Sequence, residues 1–131
     1  MLVFSRMELY DTDEVVDAEL AELTDEQRGA ILNVLLCVGR LTRVPPAVLD
    51  MEQLTQLSIN ANPLGRLPKQ LSRLKRLRKL FVENCELTKL PRCLNELTRL
   101  KALFFNGNRI TTVPPLTKVG GPCVELSSLN L

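Results

Sequence analysis

Apolar residues return in this chain at a fixed interval of 23. Leu54, Leu77 and Leu100 form one column; Leu57, Leu80 and Leu103 form a second; Ile59, Val82 and Phe105 form a third. Leu64, Leu87 and Ile110 continue the series, as do Leu67, Leu90 and Val113, each followed by proline (Pro68, Pro91, Pro114). Counted backwards, the same interval lands on Leu41, Val44 and Pro45. A period of this length means one short structural unit repeated, and such a unit buries its apolar side only against its neighbours.

The segment from Leu54 to Gln70, LTQLSINANPLGRLPKQ, resembles the leucine-rich repeat LxxLxLxxNxLxxLPxxLxxL. The 23-residue period with its Leu-Pro step is similar to the intracellular type of Ras-suppressor and Scribble-like proteins and of several bacterial effectors. The resemblance runs from about residue 41 to 131. It implies an α/β leucine-rich repeat solenoid, with short parallel strands on the concave face. It says less about function, because one fold carries unrelated tasks.

The residues give a physical reason for that fold. Positions 1, 4 and 6 of each repeat send Leu, Ile or Val inward around a short strand, and the strands stack in parallel about 4.8 Å apart. The proline after the fifth column turns the chain away from the strand, since it fixes φ and cannot donate to a ladder. Position 9 reads Asn62, Cys85, Asn108. Asparagine there is expected to satisfy backbone groups of the turn, and Cys85 is expected to be a buried structural thiol.

The first thirty residues do not repeat. They hold nine acids against Arg6 and Arg28, net −7; the remainder holds fifteen bases against six acids, net +9, so the overall +2 conceals a strong asymmetry. Residues 1–40 are read as an acidic helical N-terminal cap and 41–131 as the repeats. Thr24-Asp25-Glu26-Gln27 forms a capping box, Ala30, Ile31, Val34, Leu35 and Val38 recur at helical spacing, and Gly39 provides a stop. A helix through this segment is therefore expected, with a second over Asp13 to Leu23, together covering the first strand edge. In the competing reading Ile31, Val34 and Leu36 form a first repeat strand, 23 residues ahead of Leu54, Leu57 and Ile59.

At the other end, Leu126-Ser127-Ser128-Leu129-Asn130-Leu131 matches the opening of a further repeat, 26 residues after Leu100. The expectation is a truncated chain, or an end covered by a partner or another copy.

Chemistry is sparse. There is no histidine, which removes the commonest general base and metal ligand. Cys37, Cys85, Cys93 and Cys123 are dispersed without a CxxC pair, which reads as free thiols in a reducing compartment and no metal site. Gly120-Gly121-Pro122 lacks the phosphate-loop pattern, so no cofactor is expected. No apolar run is long enough to span a membrane and the N-terminus does not read as a secretory signal; the expected location is cytoplasmic, with secretion by a non-classical route left open.

Alternation along each strand sends positions 3, 5 and 7 to the concave surface. They read Gln56, Ser58, Asn60; Lys79, Phe81, Glu83; Ala102, Phe104, Asn106; and Ser128, Asn130. Phe81 and Phe104 share a column, so two of only four phenylalanines are expected side by side on that surface. Aromatic residues within a polar rim anchor protein interfaces. The expected partner-binding set is therefore Gln56, Ser58, Lys79, Phe81, Glu83, Phe104 and Asn106. Arg73, Lys75, Arg76, Arg78 and Lys79 cluster as a solvated face or a surface for an acidic partner; without interleaved aromatics or a groove-reading motif they do not indicate nucleic acid.

The expectation is a non-catalytic protein–protein interaction module (scaffold, adaptor or recognition domain). The rival readings are the substrate-recognition part of a larger enzyme, such as an effector ubiquitin ligase, and a structural subunit that assembles through its C-terminal edge.

Overall fold

The computed structural model describes residues 2–6, 12–114 and 125–127. Six strands form one parallel sheet in chain order: β1 (Leu2–Arg6), β2 (Ile31–Leu36), β3 (Gln56–Ser58), β4 (Lys79–Phe81), β5 (Ala102–Phe104) and β6 (Glu125–Ser127). A parallel ladder requires each connection to cross back from the end of one strand to the start of the next. Two helices, α1 (Asp13–Ala21) and α2 (Asp25–Ala30), lie between β1 and β2, and the short α3 (Pro46–Leu49) lies between β2 and β3. The next two connections carry 3-10 turns at Lys69–Arg73 and Arg92–Glu96, so α3 and the two turns also begin 23 residues apart. Pro45, Pro68 and Pro91 immediately precede them and cap their starts with φ between −56° and −76°.

The period is written directly into the backbone register. Gln56 stands opposite Lys79 and Lys79 opposite Ala102, and the hydrogen bond from Thr55 N–H to Leu32 C=O recurs from Arg78 to Thr55 and from Lys101 to Arg78. The column Val38, Ala61, Asn84, Gly107, just past each strand, adopts positive φ throughout, +59°, +60°, +55° and +71°. The turn geometry thus repeats even where the side chain opposes it, since a β-branched residue such as Val38 is strained there.

Inside, Leu54, Leu57, Leu71, Leu74, Leu77, Leu80, Leu94, Leu97, Leu100 and Leu103 are all fully buried, together with Ile59 and Val82. Each such side chain contributes roughly 1.5–3 kcal/mol from burial. The predicted columns lie in or against the observed core, with Val113 partly buried, and Val16 and Leu20 add to it.

Three expectations change. The helix predicted through Val38 stops at Ala30, and Ile31–Leu36 is a strand. The capping box is present, with Thr24 Oγ1 accepting from Gln27 N–H and Gln27 Oε1 from Thr24 N–H, but α2 buries no side chain. In the strand Ile31, Val34 and Leu36 are all buried, and β1 and β3 pair with β2 from either side. Gln53 Nε2 donates to the carbonyls of Arg28 and Ile31 and so holds the junction. Packing and two ladders outweigh local helix signals. The helix over Asp13–Leu23 is found as Asp13–Ala21. The second change follows: the edge of β3 that the helices were expected to cover pairs with β2, and β2 pairs with β1. The third concerns β6, where Leu126 stands opposite Leu103 and Ser127 opposite Phe104. The 23-residue spacing therefore persists, and the restart read 26 residues after Leu100 is displaced by three positions. Backbone register follows the preceding strand here, against the Leu126-x-x-Leu129-x-Leu131 pattern. Ser128 and Asn130, placed on the concave surface by that pattern, lie outside the described residues, as does Cys123.

Candidate functional site

Strands β3 to β5 alternate between two faces. Leu57, Leu80 and Leu103 point to the core with no exposure, so the residues flanking them form the opposite face. Phe81 and Phe104 meet on it as expected: register pairs them, and their rings stack with centroids 4.6 Å apart and planes 6° from parallel. Both are half-buried. Each ring covers one face of the other, a contact worth about 0.5–1.5 kcal/mol beyond area.

Beyond the rings runs a row of polar side chains. Asn60 Oδ1 accepts from Glu83 N–H at 2.7 Å, and Asn106 Nδ2 donates to Glu83 Oε2 at 3.0 Å. The row is thus pre-ordered, and Glu83 is held by a neutral amide. On the other side of the rings stand Gln56 and the exposed Lys79, adjoining a recess of about 390 Å³ lined by Leu32, Asn33, Thr55, Gln56, Arg78 and Lys79.

The structure brings six of the seven predicted residues to this face in three rows. Ser58 is the correction: it is buried, at 6% exposure, with its hydroxyl 3.2 Å from Cys37 Sγ. Its register partners Leu35 and Phe81 are much larger and flank it. Ala102, flanked by Lys79, is buried at 6% for the same reason of size. Alternation gives the face; neighbouring side-chain volume decides the exposure.

The predicted basic cluster divides. Arg73 Nη1 pairs with Asp50 Oδ1 at 3.0 Å in a connection. Arg78 and Lys79 sit instead at the leading end of the strands, where Lys101 follows one repeat later. Sequence reasoning grouped Arg78 with a solvated run and overlooked Lys101 and Asn33; the 23-residue interval from Arg78 to Lys101 was the signal that marked them as one column.

Position 9 behaves as the repeat requires. Asn108 Oδ1 accepts from Cys85 N–H and Leu87 N–H, while its Nδ2 donates to the carbonyls of Val82 and Phe105. Asn62 accepts from Leu41 N–H and donates to Leu36 and Ile59. Cys85 takes the same place with a thiol that donates to Ile59 C=O at 3.1 Å. Burial pushes its pKa up to about 11, so at neutral pH it is a protonated structural group and no nucleophile. Cys37, Cys85 and Cys93 are free thiols. Among the described residues no cluster of His, Cys, Asp or Glu could hold a metal, and no helix is long and apolar enough to cross a membrane.

No family model matches the chain, and no curated protein matches it either. Among solved structures it is similar to a leucine-rich repeat (LRR) protein of Leptospira interrogans, at 27% identity and a TM-score of 0.63. The likeness covers 75% of this chain and 25% of that one, so the chain spans about a quarter of the length of the protein it matches. The likeness supports a protein of leucine-rich repeat kind.

Proposed function

We propose that the chain is a leucine-rich repeat solenoid of the 23-residue Leu-Pro type, acting as a non-catalytic scaffold, adaptor or recognition module. The division proposed is an acidic N-terminal cap, residues 1–40, and repeats over 41–131, with β2 as the strand on which the first repeat's ladder builds. The partner is a protein, and it binds the concave face formed by Gln56, Lys79, Phe81, Glu83, Phe104 and Asn106, with Ser58 set aside because it is buried. The observation that carries this reading is the stacked, half-buried Phe81–Phe104 pair set between the Gln56–Lys79 row and an ordered polar row. Aromatic anchors in a polar surround are where interface energy concentrates. A sheet held by repeated backbone bonds presents them with little ordering cost on binding.

The test is affinity capture with wild type against a Phe81→Ala/Phe104→Ala variant. The reading requires that captured proteins be lost while the circular dichroism spectrum is kept. Equal capture by both removes this surface.

A second reading, assembly of copies through the last strand, rests on β6 having a single neighbour among the described strands. A monomer in a solution size measurement removes it. The free thiols at positions 37, 85 and 93 support a reducing, cytoplasmic setting.

A further inference from the structure

The recess beside the phenylalanines is rich in hydrogen-bond donors, and the carbonyls of Leu32, Thr55 and Arg78 along its rim are already engaged. The carbonyl of Leu32 already accepts from Thr55 N–H and Thr55 Oγ1. The carbonyl of Thr55 accepts from Arg78 N–H and Lys79 N–H, and that of Arg78 from Lys101 N–H and Ala102 N–H. Asn33 Oδ1 accepts from Thr55 Oγ1. The ladder thus occupies the backbone acceptors along this rim. Three side chains rich in donors remain over it, Gln56, Arg78 and Lys79, and Lys101 follows in the column of Arg78. Among the described residues none of the four has an ion-pair or hydrogen-bond partner for its side chain. Glu83 lies beyond the rings and is held by Asn106, and Glu125 stands in register with Ala102, two strands from Lys79. Arg73, by contrast, has its carboxylate in Asp50.

Backbone pairing also holds the like charges together: the bond from Lys101 N–H to Arg78 C=O, 2.8 Å, fixes two cationic residues on adjacent chain segments. Like charges on neighbouring segments repel weakly in solvent, and an anion held between them lowers that repulsion. A guanidinium, an ammonium and a side-chain amide converge well on a carboxylate. Lys79 and Phe81 are two residues apart on one strand, on one face, which separates them by about 6.6 Å. An extended peptide has the same spacing between every second side chain.

We propose that this face recognises an extended acidic peptide segment: a carboxylate side chain seated against Gln56, Arg78 and Lys79, and an apolar side chain two residues away on the Phe81–Phe104 stack. This rests on the concave-face reading above and adds the chemistry of the partner. A peptide fits better than a nucleic acid strand, because base recognition uses open aromatic faces and each ring here gives one face to the other.

The experiment is selection of a displayed random dodecapeptide library on the full chain, with selected peptides resynthesised and measured by fluorescence anisotropy. The expected result is enrichment of Asp or Glu two positions from an apolar residue. Arg78→Gln/Lys79→Gln should weaken the winning peptide about tenfold and erase the acidic bias, and its affinity should fall as NaCl rises from 50 to 500 mM. Peptides that depend on Phe81 and Phe104 but carry no acidic bias overturn this inference and leave the binding face standing. Peptides indifferent to the Phe81→Ala/Phe104→Ala variant, or no enrichment at all, overturn both. A fluorescent dT12 strand bound more tightly than the best peptide, and released by Arg78→Gln/Lys79→Gln, overturns the peptide as occupant. Circular dichroism of both variants establishes that they fold.

Discussion

The connection from β1 to β2 and those from β3 to β5 serve one ladder by different means. The later connections are held by leucine: Leu71, Leu74, Leu94 and Leu97 are fully buried, and side-chain bonds such as Ser72 Oγ to Lys69 C=O and Arg73 Nη1 to Asp50 lie at their surface. The first connection buries Val16 and Leu20 from α1 and nothing from α2. Polar contacts dock it instead. Asp13 accepts from the backbone and hydroxyl of Thr42, Asp17 pairs with Arg43 at 2.6 Å, and Arg28 Nη2 donates to the carbonyls of Leu20 and Leu23. Apolar burial joins the later turns into one cooperative unit. A segment with few buried side chains and many exposed polar contacts opens more readily. The segment from Asp13 to Ala30 is thus the more readily opened part of this ladder.

The contrast can be broken most directly at Leu97. Leu97→Ala should lower the global unfolding free energy by about 2–5 kcal/mol in chemical denaturation. Leu20→Ala should mainly speed hydrogen exchange over residues 13–30. An equal loss of global stability from Leu20→Ala would erase the distinction. Within the ladder, Asn108→Ala leaves two N–H groups and two carbonyls short of a partner, and should cost about 3 kcal/mol by the same measurement.

Cys85 sharpens the comparison from the alkaline side. Its folded pKa lies above the ordinary thiol value of 9.0, at about 11. The folded state therefore holds the proton longer than the unfolded one. Its contribution to stability is whole below pH 9 and is lost as pH rises through 11. The denaturation midpoint should fall across that window, and Cys85→Ala should flatten the fall.

Val38→Gly relieves a β-branched residue at φ +59° and should raise stability by about 1 kcal/mol; an unchanged melting temperature would show that the turn is not strained. Least of all, Asp17→Asn removes a solvent-exposed ion pair and should cost no more than about 0.5 kcal/mol. Its effect should be confined to exchange in α1 and should vanish in 0.5 M NaCl.

The 23-residue columns named the buried leucines, the parallel strands and the Phe81–Phe104 pairing, because a stacked repeat has only one way to bury those columns. The same columns marked Asn62 and Asn108 as keepers of the turn and Cys85 as a buried stand-in. Other features depend on neighbours distant in sequence. Ala30 to Val38 carries a genuine helical period, and only the presence of β1 and β3 on either side turns Ile31–Leu36 into a strand. Ser58 lies on the right face, yet Leu35, Phe81 and Cys37 bury it. The donor-rich recess was legible as a run of basic residues, but not as a site, because its character comes from which carbonyls the ladder has already used. Periodicity in sequence fixes which face a side chain takes. Volume and hydrogen-bond accounting across adjacent turns decide whether that side chain is buried, satisfied or left waiting for a partner.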